Sequence, residues 1–232
     1  MAIAVDHATT AQQDGGSSNT FSFIVNAGSN NLLLVLVSAE ANGGNNGNDP
    51  VTGITFNGVA LTKVDSRHTN VSPGGSGNSA EMWQLINPTV TTANIVVSYT
   101  GIVDGDAITA IQVTGAHQTT PINVFDGFKA NSANPSNAVI TTIDDCLVFD
   151  VLTGSGSGTT LTPDASQSQQ SNITNAGHLR SATSTEAKAS AGSVTMSWTM
   201  ASQVWAQIIA AIAPAGTPAS STPLRMLMGC GT

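Results

Sequence analysis

The sequence is short of charge. Charged residues make up 9% of the 232-residue chain, against about 25% in an ordinary soluble domain. Asn, Ser, Thr, Gly and Gln take their place. Exposed helices carry Glu, Lys and Arg on their solvent faces, so a helical bundle is excluded. Cations are scarcest: six Lys plus Arg stand against fourteen Asp plus Glu, a formal charge of −8 and a pI near 4.5. Contact with a nucleic-acid backbone needs clustered Lys and Arg, so no such partner is expected.

Cysteine is nearly absent as well. Cys146 opens an apolar segment and Cys230 lies beyond a Pro-rich stretch. A strand-core thiol and a tail thiol have no reason to meet, so no bridge between them is expected. No C-x-x-C pair occurs, which removes a zinc ribbon. The apolar run Leu32–Val37 falls far short of the ~20 residues that cross a bilayer as a helix, and no membrane partner is expected. Met1–Thr10 has no basic segment followed by an apolar one, so no secretory signal is read there. A neutral, Asn/Ser/Thr-rich surface suits the outside of a cell. Together these point to synthesis in a host cytoplasm and release with virus particles, or to an extracellular protein whose signal lies elsewhere.

What is present is strand signal. Thr20–Asn26 alternates, and Leu32–Val37 is a continuous apolar run between Gly/Asn clusters. Ile54-Thr55-Phe56-Asn57-Gly58-Val59-Ala60-Leu61 predicts a type I′ hairpin at Asn57-Gly58. Glu81–Ile86, Ala93–Thr100 and Ala107–Val113 follow, the second closed by Gly101. Cys146–Leu152, Val194–Thr199 and Val204–Ala213 read as strands, with weaker ones at Ile122–Phe128, Val139–Ile143 and Leu179–Thr183. About a dozen short strands separated by Gly, Asn and Pro turns predict an all-β antiparallel sandwich. Asn42–Asn48, Ser72–Asn78 and Gln167–Asn172 read as exposed loops. One domain over residues 1–213 is expected, with residues 214–232 an extended linker and docking arm. The arm ends in the apolar set Leu224, Met226, Leu227 and Met228 around Arg225, and these five residues are the expected partner-binding site.

Catalytic constellations do not stand out. His7, His68, His117 and His178 are far apart, and none forms a ligand-spaced pair. Gly154-Ser155-Gly156-Ser157-Gly158 lacks the spacing of a nucleophile elbow. Asp104 and Asp106 flank Gly105, and Asp144-Asp145 precede another strand; turn residues are the favoured reading. The Glu40–Asp49 loop, with Asn42, Asn45 and Asn48, is oxygen-rich and is the candidate Ca²⁺ site, but it matches no EF-hand, and no cofactor is expected. Glu81 and Trp83 share a strand face. They suit a sugar platform, but a core Trp beside a polar strand end is the favoured reading. The six Phe, three Trp and one Tyr lie mostly on strand positions, so no exposed stacking row is expected.

The order of segments carries a resemblance. The early Leu-rich strand leads to Val51–Thr62, then Glu81–Leu85, Asn87-Pro88, Ile95-Val96-Val97, Val113-Thr114-Gly115 with Thr120-Pro121, and Ser193–Trp198. Over roughly residues 20–213 this resembles jelly-roll-like β-sandwich modules of bacteriophage virion proteins and bacterial surface proteins. The resemblance implies a structural role and carries no catalytic site. Three classes follow. A non-enzymatic virion subunit, a capsid decoration or tail component bound to other virion subunits and copies of itself, accounts for most features. A carbohydrate-binding or adhesive module, with a glycan contact, needs exposed aromatics. A hydrolase needs an acid pair or triad.

Overall fold

The computed structural model describes residues 2–41, 49–69, 77–155, 160–175 and 177–216. Their strands, in order, are β1 (Ala4–Ile24), β2 (Leu32–Ala41), β3 (Val51–Phe56), β4 (Val59–Ala60), β5 (Thr62–His68), β6 (Asn78–Ile86), β7 (Thr92–Thr114) and β8 (Ile122–Ser132). Then come β9 (Ser136–Thr141), β10 (Cys146–Ser155), β11 (Thr162–Pro163), β12 (Ser168–Asn175), β13 (Leu179–Lys188), β14 (Gly192–Thr199) and β15 (Gln203–Ile212). No helix occurs among the described residues, and every strand pairing is antiparallel. The all-β sandwich reading therefore holds.

Three sheets form. The first has the order β4-β3-β7-β2-β6-β5, with β1 also on β7; the second is β12-β13-β10-β15-β8; the third is β11-β14-β9. The long run of Leu32–Val37 has a direct cause. Strands buried on both faces need apolar side chains at every position. Leu33, Val35 and Val37 point into the hollow of the first sheet, with Phe23, Ile54, Phe56, Trp83 and Tyr99. Leu32, Leu34 and Leu36 point the other way, onto Leu147, Phe149, Val151, Ile208 and Ile212 of the second sheet. The first sheet is therefore curled nearly closed around its own core, and β10 and β15 form a middle layer. Their opposite face meets the third sheet through Val139, Val148, Met196 and Ile209.

Two expected breaks are absent. Gly101 was expected to end one strand and Asp104–Asp106 to precede another, but β7 runs unbroken through both. Its first half pairs with β3 and its second half with β2, while β1 follows it along both. Residues 4–19 of β1 are polar and carry no strand pattern of their own, and their pairing with β7 imposes the extended form. Gln167–Asn172 was expected as a loop, yet Ser168–Asn175 is a strand on β13. At the other end, Ala213 N donates to Pro121 O at 2.7 Å and Ala215 N to Gly115 O at 2.6 Å. These bonds tie Ala213 and Ala215 to the segment that follows β7.

The Asn57-Gly58 hairpin is present, with φ of 50° and 77°. A Cβ at Gly58 would meet nothing within 4 Å, so the cost of a side chain there is backbone alone. Gly58→Ala is expected to lower stability by about 1–2 kcal/mol in denaturant unfolding. A stabilised variant would contradict the turn.

Candidate functional site

Three buried carboxylates dominate the polar chemistry of the interior. Asp150, on β10, is fully buried. Its Oδ1 accepts from Ser184 N at 2.8 Å and Ser184 Oγ at 2.7 Å. Its Oδ2 accepts from Trp198 Nε1 at 2.6 Å and Gln207 Nε2 at 2.8 Å. Burial pushes its pKa up to about 6, against the pull of these donors. Asp106 accepts from Tyr99 Oη at 2.7 Å, Asn19 Nδ2 at 2.8 Å and Gln13 N at 3.1 Å. Burial again raises its pKa. Asp106 is therefore a buried acceptor inside β7 rather than a turn residue.

Glu81 is the third. It is wholly buried, so it is not the polar strand end expected beside a core Trp. Its carboxylate accepts from Trp83 Nε1 at 3.2 Å and Val51 N at 3.1 Å, and meets Lys63 Nζ at 2.8 Å. Burial moves Glu81 upward, with Lys63 opposing. Burial alone would lower Lys63, but Glu81 and Asp49 outweigh it and the net is upward. Lys63 also lies 5.0 Å from the Trp83 ring centre. Trp83 is 6% exposed, so the Glu81–Trp83 pair belongs to the core and offers no platform to a sugar. All three carboxylates are held by protein donors, an arrangement that suits fixing a fold rather than moving protons.

The remaining expected positions are dispersed. His7 stacks on Phe23 with centroids 4.9 Å apart, and His117 Nδ1 accepts from Thr119 N and Thr120 N. His178 meets Glu40 at 3.0 Å, and His68 lies on β5. Among the described residues no three His, Cys, Asp or Glu side chains gather. Of the candidate Ca²⁺ loop, Glu40 bonds His178, while Asp49 accepts from Ser66 at 2.5 Å and from Lys63 at 3.3 Å. Asn42, Asn45 and Asn48 lie outside the described residues. So do Gly156–Gly158, Cys230 and the five expected partner-binding residues, Leu224 to Met228. Cys146 is buried; its pKa is raised by burial first and by Asp144 and Asp145 next, which makes it a poor nucleophile.

Concavities open on the surface among the described residues. One, of about 520 Å³, lies where Pro214, Ala215 and Gly216 leave the body. Its walls include Ala2, Ile3, Cys146, Leu147 and Ala187, with Asp145 and Lys188 as the charged members. Another, of about 560 Å³, lies between β5 and β8 and is lined by Asp49, Ser66, Arg67, His68, Gly127, Phe128 and Lys129. Sequence reasoning missed this second cleft. It placed Ile122–Phe128 in a strand and counted its aromatics as core, yet Phe125 is 48% and Phe128 51% exposed. Only Phe125 falls out of period two; Phe128 keeps step with Ile122 and Val124, so the local pattern does not mark it as exposed.

No protein-family model matches the chain, and a search of curated proteins finds no match. The fold and the two concavities are therefore the ground for a functional reading.

Proposed function

We propose that the chain is a non-enzymatic assembly subunit, of the kind that decorates a bacteriophage capsid or joins its tail, working beside other virion subunits and copies of itself. The observation that carries this reading is the concavity at the root of residues 217–232. Pro214–Gly216 help to line it, and the chain that continues from them carries Leu224, Met226, Leu227 and Met228. Fully burying such side chains contributes about 1.5–3 kcal/mol each. Ordering the backbone costs about 1–2 kcal/mol per residue. The arm alone therefore binds weakly, and it gains strength only where many copies sit side by side. The internal commitment of Asp106, Asp150 and Glu81 fits a scaffold in which polar groups specify one packing.

Deleting residues 217–232 is the test. The melting temperature is expected to stay within about 2 °C of the full chain, since this deletion removes no described core residue. Self-association in sedimentation, and incorporation into particles where these are available, are expected to fall. Undiminished association of the truncated chain overturns the reading.

A further inference from the structure

We propose that the cleft between β5 and β8 is a saccharide-binding site that takes a neutral pyranose. A sugar ring offers an apolar C–H face and a belt of hydroxyls that both donate and accept. A site for it needs an aromatic surface beside fixed polar groups of both kinds. The cleft supplies each. Phe128 is 51% exposed, unlike the buried Phe23, Phe56 and Phe149. Its ring rests at 5.8 Å and 56° against Trp205, whose Nε1 is tied to Ser132 Oγ at 3.0 Å. The aromatic surface is thus held in place before any ligand arrives, which lowers the ordering cost of binding.

The polar side is equally fixed. Arg67 Nε donates to Gly127 O at 3.0 Å, and its Nη1 donates to Asp65 Oδ1 at 2.7 Å and to Ser66 O at 2.6 Å. Position 127 must be glycine for this: a Cβ there would lie 2.4 Å from Arg67 Cγ and 2.5 Å from its Nε. Among the described residues, His68 Nδ1 is buried and has no hydrogen-bond partner, an unmet polar group beside the opening. Lys129 adds a donor and Asp49 an acceptor. The cleft volume of about 560 Å³ falls in the range of small-molecule sites.

Charge selects a neutral ligand. Arg67 and Lys129 are balanced by Asp49 and Asp65, with exposed Asp126 alongside. A sulfated or phosphorylated polymer would meet these carboxylates and a chain of net charge −8.

The test titrates the full chain with maltose, cellobiose, lactose and diacetylchitobiose, followed by saturation-transfer NMR and calorimetry, with heparin as the anionic arm. At least one disaccharide is expected to bind. Phe128→Ala is expected to weaken it at least about tenfold, while Phe128→Tyr retains it. Gly127→Ala, which displaces Arg67, is expected to weaken it several-fold. Unchanged melting temperatures for the Phe128 variants show that the loss is local. Absence of binding to all four sugars, binding that survives Phe128→Ala, or a preference for heparin each overturns the proposal.

Discussion

Asp150→Ala is expected to destabilise the protein by about 4 kcal/mol, the sum of two buried donors left without an acceptor at about 1–3 kcal/mol each. The two are Trp198 Nε1 and Ser184 N, whose bonds to Asp150 are described above. Of the other two donors, Gln207 Nε2 also reaches Met196 O at 3.2 Å. The Ser184 hydroxyl only accepts in its other bond, from Gln167 Nε2 at 2.6 Å, so its lost acceptor adds to this cost. Trp198→Ala removes the same indole bond and also opens a cavity among Leu152, Leu161, Met200 and Trp205, so about 3–5 kcal/mol is expected. Because the two changes share a bond, their costs should fail to add by about 1–3 kcal/mol. Denaturant unfolding of both single variants and the double variant measures this. Strict additivity, or a cost below about 1 kcal/mol for Asp150→Ala, shows that the carboxylate does not hold the second sheet to the third.

How much of this was legible in the sequence depends on whether a residue's environment is set locally. Leu32–Val37 announces a strand buried on both faces, because each position reports its own face. Asn57-Gly58 announces its turn, because positive φ is a property of those residues. Residues 4–19 of β1 and the whole of β12 are polar and take their extended form from β7 and β13, so nothing in their own pattern marks them. Asp150 looks like a charge within an apolar strand. Its compensation comes from residues 34, 48 and 57 positions away, beyond any sequence window. Asp106 depends in the same way on Asn19, 87 positions away, and Gln13, 93 away. The β5–β8 cleft joins Arg67 to Gly127 across 60 positions. Phe128 keeps step with Ile122 and Val124, so no local pattern announces it. A chain with nine-tenths of its residues uncharged can still place its few charges where they decide packing, and composition is silent about where.

Stability is expected to rise as the pH falls from 7 to about 4.5, the reverse of ordinary acid denaturation. The pKa of Asp150 is pushed from 3.8 to about 6, with burial the largest cause. In the unfolded chain the carboxyl loses its proton near 3.8. Between those values the native state binds more protons than the unfolded state, so folding is favoured by acid. The stability linked to this group is fully present below about pH 4 and is lost as the pH rises through about 6. A shift of about two units corresponds to about 3 kcal/mol. Glu81, Asp106 and Glu40 shift in the same direction, each with burial as the largest cause. Asp6 and Asp164 shift downward through hydrogen bonds, to Asn26 first and to Ser166 first, but both are exposed and solvent screens them. A protonated Asp150 needs an acceptor, and Gln207 supplies one, since its Oε1 is buried with no partner among the described residues. Turning the amide over brings that oxygen to Asp150 at the cost of the bond to Met196 O. Asp150→Asn presents the same neutral donor at every pH, so the variant should lose about 3 kcal/mol of the pH dependence between 4 and 7. Urea unfolding of both proteins across that range reads the difference. Stability that climbs with pH in the wild type, or an unaltered slope in Asp150→Asn, would show that the buried carboxyl is ionised throughout and that its donors fully offset its burial.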